Sequence, residues 1–285
     1  MVNNSQIIAK TEKTVANTIK KFNLLKKTDK ILVACSGGKD STTILYILNK
    51  LGYKPEAITI DASIGNYTKQ NLENLKKICK QNKIKLHIVS FRKEFGYSLC
   101  YLRSLLNQKG INMTSCTICG VLRRHLLNKY ARRLKATKLA TGHNLNDEAQ
   151  AVVMNLLKNN LELLARQGPM TGTNKDKKFV QRVKPMYFIT EDEVIEYSKA
   201  MKFPVNYAPC PCRVGVYRCL TDEQLTKQEK QRKGTHKNII KWFLSVQPQL
   251  KTKFKSTEKQ NYCENCGEPA KGTVCMTCQI LEKIK

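Results

Sequence analysis

Three observations predict an α/β fold, a parallel sheet with helices on both faces, carrying a small C-terminal cysteine module. Short apolar runs at 31–35, 57–60, 85–90 and 138–141 alternate with helical stretches, the pattern of right-handed βαβ units. The run Ile31-Leu-Val-Ala-Cys35 is unbroken by polar residues and bounded by charge and glycine, as in a strand covered on both faces. At 285 residues the chain can also bury a large core and still hold an accessory module.

In order, residues 1–29 predict a basic amphipathic helix, Thr11 to Lys27, and a connector. The main domain spans 30–200. Its first strand, 31–35, meets Ser36-Gly37-Gly38, which permits a tight turn and close backbone approach to a ligand. Asp40 or Ser41 is expected to cap a helix with Leu45, Leu48 and Leu51 on one face. Strand 57–60 ends at Asp61; a helix over 68–83, strand 85–90 and a helix over 94–108 follow. Cys116 opens a helix bearing Arg123, Arg124, Arg132 and Arg133. Strand 138–141 ends in Gly142-His143-Asn144-Leu-Asn-Asp147-Glu148, with an apolar helix at 149–157. Residues 161–183 read as irregular and basic, 183–186 as a last strand and 191–201 as a helix with an acidic first turn. Residues 201–250 form a helical extension whose helices start at Thr221 and His236 and end near Pro248. The Lys-rich stretch 251–260 reads as a linker into a C-terminal module within 251–285.

Strand, glycine turn and helix N-terminus at 31–41 make a nest of backbone N–H groups suited to phosphate, with Lys39 as a point charge. The G-x-x-x-x-G-K-[ST] spacing of the common P-loop is absent. Ligands of open parallel sheets bind at the carboxyl ends of strands, so the 36–41 loop and Gly142-His143 are expected to share one crevice. The formal charge of +29, from 51 Lys and Arg against 22 Asp and Glu, favours a polyanionic partner such as nucleic acid. No apolar run is long enough to span a bilayer and no signal-peptide pattern is present, so a soluble, cytoplasmic protein is expected.

Twelve cysteines in such a compartment point to metal or redox chemistry. Cys263-x2-Cys266-x8-Cys275-x2-Cys278 pairs two knuckles into a closed tetrahedral sulfur cage, the geometry of structural Zn2+. A segment this short builds little core of its own, so metal is its main source of fold. Cys116-Thr-Ile-Cys119 lacks a second pair. With Cys210 as third member it can hold an iron–sulfur cluster that keeps one iron open. Cys35, Cys79 and Cys100 read as buried inert thiols, and Cys212 as a spare or neighbouring redox partner.

The loop Ser36-Gly37-Gly38-Lys39-Asp40-Ser41 resembles the SGGxD[ST] pyrophosphate loop (PP-loop) of ATP pyrophosphatases. Together with Cys116-Thr-Ile-Cys119-Gly120, the 141–149 motif and the C-terminal cysteines, it resembles the tRNA 2-thiolation enzymes of the TtcA/TtuA group, closest to the archaeal and eukaryotic 2-thiouridine branch. The resemblance covers roughly residues 30–280. It implies a Rossmann-like (HUP-type) sheet and an ATP-dependent tRNA uridine 2-sulfurtransferase that adenylates the C2 carbonyl oxygen and releases AMP and pyrophosphate. By that resemblance Ser36, Gly37, Gly38, Lys39 and Ser41 hold the phosphates of ATP, with Asp61, Gly142 and His143 also on the nucleotide. Asp40 and Asp147 hold Mg2+. Cys116, Cys119 and Cys210 ligate a [4Fe-4S] cluster whose open iron takes hydrosulfide, and Arg123 stands near the reacting centre. Implied partners are tRNA, a sulfur donor (sulfide or a ubiquitin-like thiocarboxylate carrier protein) and a second copy in a homodimer, with no membrane.

Two departures stand out. The family begins with another zinc module, whereas residues 1–30 hold no cysteine or histidine, and Cys212 replaces a usual aromatic residue, leaving Cys210 and Cys212 as alternative third ligands. Individual residues also carry simpler readings: Asp147 as a helix cap, His143 as a turn residue, Asp61 as a strand end, Arg123 as a phosphate contact. Rival functions are another ATP pyrophosphatase, persulfide-based thiolation or 2-thiocytidine formation without a cluster, and a non-catalytic zinc- and RNA-binding protein on a retired nucleotide domain.

Overall fold

The computed structural model describes residues 4–172, 176–213, 215–255 and 260–284. In chain order these form α1 (Asn4–Phe22), β1 (Ile31–Ala34), α2 (Lys39–Lys50), β2 (Glu56–Asp61), α3 (Gly65–Gln81), β3 (Leu86–Ser90), α4 (Phe91–Phe95), α5 (Leu99–Gln108) and α6 (Ser115–Arg133). There follow β4 (Lys138–Thr141), α7 (Leu145–Leu157), α8 (Leu161–Ala165), β5 (Gln181–Val183), α9 (Glu191–Ala200), α10 (Tyr217–Gln231), α11 (Thr235–Lys253), β6 (Asn261–Tyr262), β7 (Pro269–Ala270) and α12 (Met276–Glu282). None of these helices is long and apolar enough to cross a membrane.

The main sheet is fully parallel, in the order β3-β2-β1-β4-β5. Side chains of β1 alternate between two cores. Ile31 and Val33 pack with Ile44, Leu48, Ile78 and Tyr197 on one face, while Leu32 packs with Ile58, Leu102, Leu122 and Leu126 on the other. This is the period-2 geometry of a strand buried on both sides, and each fully buried Leu or Ile contributes about 1.5–3 kcal/mol. A third core joins α7 and α8 to α11 through Val152, Leu164, Ile240 and Phe243. Connections leave β1 on one side toward β2 and β3, and on the other toward β4 and β5. The order reverses there, so the crevice at the carboxyl ends of β1 and β4 is where a ligand site is expected.

Several elements differ from their predicted form. Helix α2 starts at Lys39 from an extended Gly38 that offers no side-chain cap, because Ser41 is engaged inside the loop and Asp40 already lies in the helix. The predicted helix over 94–108 is two, parted at Gly96 in the left-handed region. Helix α7 begins at Leu145, absorbing most of the 141–149 motif into its first turn. The last strand is Gln181–Val183, two residues earlier than the apolar pattern implies. Pro248 lies within α11, which continues to Lys253 and takes over the first part of the predicted linker. Residues 256–259 of that linker lie outside the described residues.

Gly37 carries φ +83°, and a Cβ there would stand 2.2 Å from the Asn71 carbonyl oxygen. Glycine is required on both counts. Gly37→Ala is expected to destabilise the protein by about 1–3 kcal/mol, read as a lower urea midpoint.

Candidate active site

The phosphate-type loop is tied by its own serines. Ser41 Oγ accepts from the Ser36 N–H at 3.1 Å and donates to the Gly38 carbonyl at 3.2 Å. Lys39 Nζ lies 3.0 Å from Asp40 Oδ2 and 2.9 Å from Glu191 Oε1 at the start of α9. Burial opposes its charge, but these two carboxylates prevail and raise its pKa. The end of β4 closes against the same place. A Cβ on Gly142 would come within 2.8 Å of the Asp40 backbone, so only glycine lets β4 and the start of α2 touch.

Asn144 caps α7 and gathers two carboxylates. Its Nδ2 donates to Asp40 Oδ1 at 2.9 Å, and its backbone N–H donates to Asp147 Oδ2 at 3.3 Å. Asp147 thus does cap the helix, in a reciprocal capping box with Asn144. Its second oxygen accepts from Arg218 Nη1 at 3.1 Å. Burial raises the Asp147 carboxyl, with Arg218 pulling the other way and Asp40 adding to the rise. Behind this turn Lys184 donates to the buried Glu148 at 2.6 Å. His143 is an exposed turn residue whose Nδ1 pairs with Thr141 Oγ1 at 2.8 Å.

A cavity of about 280 Å³ runs from the loop to the N-terminus of α6, lined by Ser36, Asp61, Tyr67, Arg123 and the thiol-bearing Cys116, Cys119, Cys210 and Cys212. Asp61 also accepts from the Ser63 N–H at 2.7 Å, so it ends its strand and faces the cavity at once. Burial raises the Cys116 and Cys119 thiols, and each is raised further by Cys210, while Arg123 pulls Cys119 down. Cys116, Cys119 and Cys210 thus share one cavity wall, a set of thiols that suits a thiolate-bound cluster. The Nε of Arg123 is buried without a partner, as expected of a group that serves a ligand. Tyr67 joins the two halves, its hydroxyl lying within the fields of Cys210, Arg123 and Lys39.

The predicted residues therefore fall into two adjoining groups. Lys39, Asp40, Ser41, Gly142 and Asp147 meet at the start of α2, and Asp61, Arg123 and the three cysteines meet in the cavity, with Ser36 in both. One reading changes. Cys100 is exposed rather than buried, because it lies on the solvent side of α5. The Cys212 thiol adjoins those of Cys100 and Cys210, and its carbonyl accepts from Cys116 Sγ at 3.8 Å. Cys219 donates its S–H to the Arg213 carbonyl at 3.9 Å and lies within the field of Cys116. Sequence reasoning also missed Glu191, Tyr67 and Arg218. Glu191 was visible only as an acidic helix start, and nothing local marks the other two.

In the C-terminal module the sulfurs of Cys263, Cys266, Cys275 and Cys278 lie within 4.8 Å of one another. Burial opposes ionisation of Cys263, yet backbone N–H groups of Cys275, Cys266 and Asn265 bring its thiol down to about 6. The module's own apolar cluster is small, and Ile280 and Ile284 pack instead into the core behind α6. Polar ties fasten the same contact: Asn128 Nδ2 donates to Glu268 at 3.1 Å, Arg132 pairs with Glu268, and Lys178 Nζ donates to the Gly267 carbonyl at 2.8 Å.

A parallel α/β sheet with a glycine-serine loop at its switch point, opening onto a thiol-lined cavity, defines a nucleotide-using enzyme class with sulfur or cluster chemistry attached. The family model for the PP-loop domain matches residues 8–206. A tRNA-5-methyluridine(54) 2-sulfurtransferase of Pyrococcus horikoshii is 34% identical over 269 residues, covering 94% of this chain and 84% of that protein. The tRNA 2-thiolation protein NcsA of Haloferax volcanii is 29% identical over 295 residues, covering 97% and 91%. Among solved structures, the U34-tRNA thiolase NcsA of Methanococcus maripaludis, determined with its [4Fe-4S] cluster, superposes with a TM-score of 0.81 at 28% identity, covering 98% of this chain and 88% of that one. The chain belongs to the PP-loop family of tRNA 2-thiolation sulfurtransferases.

Proposed function

We propose that the protein is an ATP-dependent tRNA uridine 2-sulfurtransferase acting in the cytoplasm. The observation that carries this reading is the single cavity that brings Ser36 of the loop together with Asp61, Arg123 and three mutually interacting cysteines. ATP would lie on the backbone N–H groups of 36–41 and the first turn of α2, with Ser36 and Ser41 as hydroxyl contacts. Asp40 and Asp147, both tethered to Asn144, would hold Mg2+, which bridges phosphate oxygens and neutralises their charge. The uridine C2 oxygen attacks the α-phosphorus and pyrophosphate leaves. Lys39 exchanges its pairing with Glu191 for the departing phosphates and stabilises the charge they gather.

Cys116, Cys119 and Cys210 would hold the [4Fe-4S] cluster, which when bound supplies an open iron that presents sulfide as a nucleophile. Arg123, with its unpartnered Nε beside Cys119, would steady the negative charge of the incoming sulfur and orient the activated base. Sulfur then takes the place of oxygen at C2, and AMP departs with that oxygen. The sulfur donor is sulfide or a protein thiocarboxylate. The test is anaerobic incubation of reconstituted protein with ATP, sulfide and unmodified tRNA. Thiouridine and AMP should form in equal amounts, and ATP turnover with no sulfur in the RNA would reject the assignment.

The four C-terminal thiols would hold Zn2+ in a closed, structural site. Cys275→Ser is expected to drop bound zinc from about one per chain to near zero and to open residues 263–284 to proteolysis. Metal analysis and limited digestion check both.

A further inference from the structure

One cation in the site has no part in the reaction just described. Arg218 Nη1 lies 3.1 Å from Asp147 Oδ1, and this is the only ion pair that Arg218 makes among the described residues. The contact ends a chain that runs Glu191, Lys39, Asp40, Asn144, Asp147, Arg218, with Lys39 toward α9 and Arg218 toward the cysteines. Contacts on either side fix that second direction. The Arg213 N–H donates to the Cys210 carbonyl at 2.9 Å, and the Cys212 carbonyl accepts from Cys116 Sγ at 3.8 Å. Upstream, the backbone of Asn206 bridges Gly38 of the loop. Downstream, Arg213 pairs with Asp222 of α10 at 3.2 Å, and Asp222 accepts from Gln150 of α7 at 2.6 Å. Arg218, in the first turn of α10, therefore stands at the seam between the phosphate loop and the thiols.

We propose that Arg218 is a catalytic residue that exchanges Asp147 for the α-phosphate of bound ATP and stabilises the charge gathering there as the uridine oxygen attacks. This rests on the reading that Asp147 serves the nucleotide, and it adds a residue to that reaction. Adenylation belongs at the seam, because the carbon activated on the nucleotide side is the one that takes sulfur on the thiol side. Lys39 lies toward the other end of the chain and meets the departing pyrophosphate, which leaves the α-phosphoryl group to a second cation. A guanidinium suits that group, since its planar fork presents paired donors to phosphate oxygens. The exchange costs little. The Arg218 and Asp147 side chains keep 36% and 30% of their surface exposed, and ion pairs so exposed hold weakly. A metal ion on Asp147 would repel the guanidinium and favour the same move. The bond from the uridine oxygen to the α-phosphorus forms as the bond to pyrophosphate breaks, and Arg218 keeps its protons throughout.

The test uses the full chain, reconstituted anaerobically with iron and sulfide, and reads AMP release with ATP, sulfide and tRNA. Arg218→Ala should lower kcat about 10²-fold. Its Kd for α,β-methylene-ATP, measured on cluster-free protein, should stay within about threefold of wild type. Iron and acid-labile sulfide should match wild type, which shows that the turn carrying Cys210 is in place. Added guanidinium ion should restore Arg218→Ala about tenfold, and urea, uncharged and of similar shape, should not. Arg218→Lys should recover only part of the rate, since it keeps the charge without the fork. AMP release from Arg218→Ala within about threefold of wild type would overturn the proposal. So would analogue binding weakened as much as kcat falls, or a loss of rate that tracks lost iron and that guanidinium leaves unrestored. A wild type that binds the analogue but forms no AMP with tRNA would instead reject the thiolation reading, and this proposal with it.

Discussion

Lys39→Met is expected to reduce AMP formation about 10²–10³-fold, the usual cost of removing one preorganised stabilising group. The loss should fall on turnover, because the loop's serines and backbone still bind ground-state phosphates. The substitution also frees Glu191 and Asp40, which share the lysine between them. Two carboxylates that have lost their shared cation beside the nucleotide would repel it, so a rise in KM for ATP accompanies the fall in kcat. Lys39→Met with Glu191→Gln separates the two effects: the KM should recover in part while kcat stays low. Initial rates of AMP release over a range of ATP concentrations check this. A double variant with kcat near that of wild type would show that Lys39 serves only as a partner of Glu191.

The second large effect is expected at the third cluster position. Cys210→Ser should abolish cluster reconstitution and thiolation, while Cys212→Ser should keep its iron and acid-labile sulfide. Cys210 interacts with both Cys116 and Cys119, whereas Cys212 offers Cys116 only its backbone carbonyl. Iron and sulfide content after anaerobic reconstitution, with the visible absorption of the cluster, reads the result. Iron lost from Cys212→Ser and kept by Cys210→Ser would reverse the assignment.

The parts legible in the sequence are those fixed by short-range pattern. The strands at 31–34 and 138–141 are continuous apolar runs, and the loop between β1 and α2 carries its chemistry in six adjacent residues. Cys263, Cys266, Cys275 and Cys278 come as two spaced pairs, and spacing alone specifies a cage. What escaped depends on contacts across long stretches of chain. Glu191 reaches Lys39 from 152 residues away, and Arg218 reaches Asp147 from 71. Cys100 has apolar neighbours in sequence, but the rotation of α5 on the core, set by Leu99, Leu102 and Leu106, turns it outward. Pro248 fails to end α11 because Phe243 and Gln247 hold that helix against its neighbours through buried contacts.

Helix α6 carries Cys116 and Cys119 at one end, while its other end, at Asn128 and Arg132, is clasped by Glu268 of the C-terminal module. At 19 residues it spans roughly 28 Å. The ribosome makes Glu268 more than a hundred residues after it makes α6. During synthesis the cysteine-bearing helix thus stands with one side bare until the module arrives and folds against it. If the four thiols take up the zinc proposed for them, metal binding there would complete the wall against which the cysteine-bearing helix settles.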